Sequence, residues 1–127
     1  MTNDNILADK SVSFAIRMAK CYSFLMDERK EFIMSKQMFR SGTSIGANIH
    51  EAIQAQSKVD FISKLSISLK EASETSFWLV VLNRAGTMDD NIYKSLKKDL
   101  DEIIRILVST IKTTKKNLNL KDEKSIK

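Results

Sequence analysis

The single histidine, His50, opens the segment "HEAIQ". This matches the helical zinc motif H-E-x-x-H except that Gln54 stands where the second imidazole is needed, so zinc hydrolysis is not expected. A ribonuclease pairing of arginine with histidine needs the two close together on one helix face. Arg40 and His50 have nine residues between them and do not meet that need. Cys21 has no obvious activating partner, and no serine lies beside a legible base, so no nucleophile–base pair can be read. Gly42 and Gly46 fall inside a helical pattern and form no phosphate-cradling loop. Carboxylates such as Glu51, Glu71 and Glu74 can make di-metal sites when they face one another, but the Glu-x-x-His pairs of such bundles are missing. The expectation is a non-enzymatic chain with no catalytic residue, no metal and no cofactor.

What remains of the segment "RSGTSIGANIHEA" is a polar stripe. Ser41, Ser44, Asn48 and Glu51 follow at helical spacing beside Gly42, Ile45, Ile49 and Ala52. Further on, Ser66, Ser73 and Ser76 accompany Glu71 and Glu74. Small residues on both segments would let two helices approach closely, with polar groups bonded across the seam to fix register. On this reading Asn48 is buried and hydrogen-bonded across the seam. Arg40 pairs with Glu51 or with a carboxylate of a neighbouring helix.

The positioning elements are helices. Apolar residues recur at steps of three and four in four segments: Val12, Ala15, Ala19, Tyr22, Met26; Met38, Gly42, Ile45, Ile49, Ala52; Ile62, Leu65, Leu69, Ala72, Ser76, Leu79; and Tyr93, Leu96, Leu100, Ile103, Leu107. Ser57 with Asp60, and Thr87 with Asp90, read as N-terminal caps, and Gly86 as a helix stop. The charged run "DERKE" marks the first break. Helices over about 8–27, 33–56, 58–85 and 88–117 follow. Short connections then predict an all-α, antiparallel up-down-up-down four-helix bundle. It forms a single domain over residues 1–127, with a basic C-terminal tail from about residue 112. The run "FWLVVL" is too apolar for one bundle stripe, so Phe77, Trp78 and Val81 are expected at an oligomer interface.

The net charge of +5 sits mostly in that tail. Residues 112–127 hold six lysines and two acids, whereas the other 111 residues hold 15 basic and 14 acidic side chains. Lys112, Lys115 and Lys116, with Lys64 and a stripe of Lys10, Arg17 and Lys20 that has no nearby acid in sequence, are the candidate nucleic-acid-binding residues. The alternative is a protein-interaction scaffold that binds no nucleic acid, and a nuclease comes third. A lone cysteine, a polar N-terminus and no run of about 20 apolar residues predict a cytoplasmic protein without a membrane segment.

"RSGTSIGANIHEA" followed by "SKVDFISKLSISLKEASETSFWL" resembles the four-helix-bundle family of the 23S rRNA intervening-sequence proteins. The resemblance rests on Arg40, Ser41, Ser44, Ile45, Asn48, Glu51 and Ala52, then on Phe61, Lys64, Lys70, Glu71, Glu74 and Trp78. It spans roughly Phe14 to Leu107. The family is similar in turn to the accessory variability proteins of diversity-generating retroelements. The resemblance implies a ring-like homopentamer. For the retroelement relatives it also implies binding of nucleic acid and of a reverse-transcriptase-like partner through a basic surface. The nearly neutral helical body of this chain departs from those strongly basic relatives.

Overall fold

The computed structural model describes the backbone of residues 2–126 and the side chains of residues 2 and 4–119. It contains α1 (Asn3–Asp27), α2 (Met34–Ile53), α3 (Lys58–Arg84) and α4 (Asp90–Ile126), and no strand among the described residues. Each helix packs on its sequence neighbours and α1 closes onto α4. Ion pairs between α1 and α4, Lys10 with Glu102 and Arg17 with Asp99, run in opposite senses along the two helices. The arrangement is the expected antiparallel four-helix bundle. No helix among the described residues is long and apolar enough to cross a membrane.

The helix ends have local causes. Ser57 caps α3 as expected, its Oγ accepting from Asp60 N at 3.1 Å. Gly86 stops α3 with a φ of 83°. Its N–H donates to the Asn83 carbonyl and that of Thr87 to the Leu82 carbonyl, satisfying two carbonyls of the last turn. The expected Thr87 cap of α4 is not formed. Asp89 takes that place, accepting from Ile92 N at 2.9 Å. A carboxylate one residue before the helix reaches the free amides, and Thr87 is held in the turn by its bond to Leu82. At the start of α2, Glu31 accepts from the amides of Ile33, Met34 and Ser35. Partial burial pushes this carboxyl up, but the three amides and the Ser35 hydroxyl outweigh it and hold it below its usual range.

The core corrects one expectation. In α1 the buried residues are Leu7, Ser11, Phe14, Met18, Cys21 and Leu25, not the stripe through Val12, Ala15 and Ala19. Both stripes have helical spacing, and the one with larger side chains removes more apolar area from water. Its rival is left facing outward, with Val12 46% and Ile16 51% exposed. On α2 the expected Met38, Gly42, Ile45, Ile49 and Ala52 are all buried. On α4 Leu96, Leu100, Ile103 and Leu107 are buried as expected.

The presumed tail is helical. Lys10–Glu102 and Arg17–Asp99 place Asn3, the first residue of α1, beside about residue 110 of α4. From residue 112 to Ile126 the helix therefore runs past the start of α1 by roughly 22 Å. Lys121, Lys124 and Lys127 lie outside the described side chains.

Candidate functional site

The polar residues of α2 and α3 form a seam between the two helices. Ser41 is fully buried, and the Thr75 hydroxyl donates to its Oγ at 2.9 Å. One turn away, buried Ser68 donates to the Ile45 carbonyl at 2.9 Å. These hydroxyls occupy core positions: the buried residues of α3 are Leu65, Ser68, Ala72, Thr75, Leu79 and Leu82, at steps of three and four. Each buried hydroxyl has a partner, as burial of a polar group requires.

Charged groups flank this inner layer. Arg40 donates to Glu74 Oε1 at 2.6 Å and lies 3.7 Å from Glu71 Oε2. Trp78 Nε1 reaches the same Glu74 oxygen at 3.5 Å. Lys64 pairs with Glu51 at 3.2 Å across the other end of the seam. Arg40 therefore takes the carboxylates of α3, the neighbouring-helix alternative, rather than Glu51. Glu71 Oε2 is buried without a hydrogen bond, so the nearby guanidinium is its main compensation.

Two expectations about the seam change. Asn48 is half-buried, and its Nδ2 donates to the Ser44 carbonyl of its own helix at 2.8 Å rather than across the seam. Ser44 likewise donates within α2, to the Arg40 carbonyl. Both lie one position round the helix from the contact line, where the turn below is the nearest acceptor. The crossing hydroxyls are Thr75 and Ser68; Ser66 and Ser73 are exposed. The 3–4 spacing of Leu65, Ser68, Ala72 and Thr75 carries that signal only if hydroxyl residues count as core.

The Arg40 cluster predicts a pH-dependent stability. The hydrogen bond from Arg40 holds the Glu74 carboxyl below its ordinary value of 4.5, against the small opposing effect of burial. A folded value below the unfolded one stabilises the fold above that pH, and the gain is lost as pH falls through the folded value. Both side chains are more than a third exposed, so solvent screens the pair. Arg40→Ala should lower stability by about 0.5–1 kcal/mol at neutral pH. In urea titrations the gap should close on acidification below 4.5. A gap that persists unchanged in acid would contradict the pairing.

The candidate cations are not a free stripe. Lys10 holds Glu102 at 2.8 Å, and Arg17 holds Asp99 at 2.6 Å as well as the Ser95 hydroxyl and carbonyl. Acids distant in sequence become neighbours once α1 packs on α4. The same bond from Lys10 holds Glu102 below its usual range. Lys64 is also paired, with Glu51. Lys20, Lys112, Lys115 and Lys116 are exposed and make no ion pair among the described residues.

The expected interface residues divide. Phe77 is 57% exposed and edge-on to Trp78. Trp78 is half-buried and packs against its own core, and Val81 is half-buried too. In the rest of the apolar run Leu79 and Leu82 lie in the core and Val80 is half-buried.

Burial pushes the Cys21 thiol up to about 11, against the opposing charge of Arg17, so it is protonated at neutral pH. His50 Nδ1 lies 2.8 Å from the Gly46 carbonyl, which makes that nitrogen the protonated one. Among the described residues no three His, Cys, Asp or Glu side chains converge as metal ligands.

The bundle is similar to the crystal structure of a protein of unknown function from the S23 ribosomal protein family of Bacteroides thetaiotaomicron, at 54% identity and a TM-score of 0.86. The match covers 87% of this chain and 99% of the other. No curated protein matches. The family model for the 23S rRNA-intervening sequence protein matches residues 3–109, which include the whole α2–α3 seam. On that match and that fold, the chain belongs to the 23S rRNA-intervening sequence protein family.

Proposed function

We propose that this chain is a non-enzymatic, self-assembling helical-bundle module that works through protein contacts, with the homopentamer implied by its family resemblance as the assembled form. The observation that carries this is the outward face of α3. Ile67 is 41% and Phe77 57% exposed there, on a rigid helix, with Val81 at the next turn. Lys70 and Glu74 fall between Ile67 and Phe77 on the same face, so the apolar patch is Phe77 with Val81 beside it, and an exposed ring next to a second apolar side chain is a candidate contact. Of the candidate cations of the helical body, by contrast, Lys10, Arg17 and Lys64 are engaged within the chain. Brief cross-linking at low micromolar concentration should yield species above the monomer. A monomer band alone would contradict the proposal.

One observation favours a second reading, binding of RNA or DNA. Lys112, Lys115 and Lys116 are exposed on the part of α4 that runs past α1. Nothing in this helix is placed to read base edges, so binding of this kind is electrostatic and falls steeply between roughly 50 and 200 mM salt. Removing residues 112–127 should raise the dissociation constant for a labelled RNA by about tenfold or more at low salt, because each lost phosphate contact releases fewer counterions. Changing Lys10 and Arg17 to alanine should alter it far less. Equal binding by the intact and shortened chains in fluorescence anisotropy would remove this reading and leave the scaffold.

A further inference from the structure

The apolar stripe that α1 leaves outside the core borders a trough between α1 and α2. Ala15 and Ala19 line one wall, and Thr43 and Ala47 the other. Its volume is about 390 Å³ and it holds no charged side chain. Val12 and Ile16 line its α1 edge and rise there as a ridge, 46% and 51% exposed. Ridge and trough lie side by side on one face, so a rotation by half a turn places the ridge of one copy in the trough of another.

The charges on α1 fit the same rotation. Asp9, Val12, Ile16 and Lys20 follow at steps of three, four and four and share one helix face. Asp9 and Lys20 are exposed, and neither is in an ion pair with another described residue. Asp9 and Lys20 flank the ridge almost symmetrically, both pairs centred near Phe14. Two α1 helices packed antiparallel about that point bring each Asp9 opposite the Lys20 of the other copy, with Val12 opposite Ile16. A parallel pair would set Asp9 on Asp9 and Lys20 on Lys20, which like-charge repulsion disfavours.

We propose that the outward face of α1 is a two-fold contact with a second copy of this chain. The helices lie antiparallel, apolar at the centre and closed at both ends by Asp9–Lys20 pairs. The contact rests on the self-assembly reading and deepens it, since it is separate from the α3 face and joins rings or single chains in pairs.

Charge reversal tests it without touching the core. Asp9→Lys and Lys20→Asp should each raise the dissociation constant of the paired species at least tenfold in sedimentation velocity. The double variant Asp9→Lys/Lys20→Asp restores opposite charges across the dyad and should return to within about threefold of the native chain. Measured in a Phe77→Glu background, where the α3 face is disabled, the paired species should have twice the monomer mass. An oligomer indifferent to all three variants would overturn this contact and leave the self-assembly reading standing. Two impaired single variants without recovery in the double would overturn the antiparallel register. A native chain that stays monomeric would overturn both.

Discussion

Gly42→Val should be strongly destabilising, lowering stability by about 3 kcal/mol and the melting temperature by roughly 10 °C. A Cβ at position 42 would lie 2.6 Å from both Cγ and Sδ of Met18, closer than real contacts allow. Met18 is fully buried, so its flexible chain has little room to move aside. Helix propensity works the other way, since valine is better than glycine in a helix interior by a few tenths of a kcal/mol. The steric cost is several times larger and decides the sign. Met18→Ala alone opens a cavity and should cost about 2–5 kcal/mol. Combined with Gly42→Val, the new side chain occupies part of that space, and the double variant should be more stable than the sum of the two losses by about 1 kcal/mol or more. Additive losses in chemical denaturation would show that the α1–α2 approach is looser than 2.6 Å implies.

Phe77→Glu should have the largest effect on assembly. The ring is mostly outside the fold, resting edge-on against Trp78 at 5.0 Å between centroids. Its replacement should therefore leave helicity intact and cost the isolated subunit under about 1 kcal/mol. Burial of a phenylalanine side chain at a protein contact is worth about 1.5–3 kcal/mol, and a carboxylate placed there must also be desolvated. The dissociation constant should rise by about two orders of magnitude. Trp78→Glu is the contrasting variant. Trp78 packs on its own core, so that change should lower folding stability first. If Phe77→Glu keeps the native mass while remaining folded, the α3 face is not the contact.

Much of this was legible in the sequence, and the limits have physical causes. The α2 stripe was readable because small and branched apolar residues alternate with polar ones on a narrow face. In α1 two apolar stripes compete, and only the packed partners reveal that Phe14 and Met18 point inward while Val12 and Ile16 do not. Sequence leaves Arg40 with either Glu51 or a carboxylate of a neighbouring helix, and the fold pairs it with Glu71 and Glu74 of α3. The inner bonds of the seam are hidden from sequence, because Ser68 and Thr75 read as polar although both lie in the core. Pairing of Lys10 with Glu102 and of Arg17 with Asp99 depends on the register of helices separated by most of the chain, which local spacing does not carry. α4 continues through the lysine-rich end, where no glycine or proline interrupts the helix, so the boundary expected near residue 117 has no helix breaker behind it.

The central claim is that this bundle assembles with copies of itself. Light scattering of the intact chain over a dilution series tests it most directly. The mass should be several times the 14.5 kDa monomer at low micromolar concentration, near five copies for a single ring and near ten where rings pair through α1. A mass of 14.5 kDa that persists as concentration rises through about 100 micromolar would contradict it.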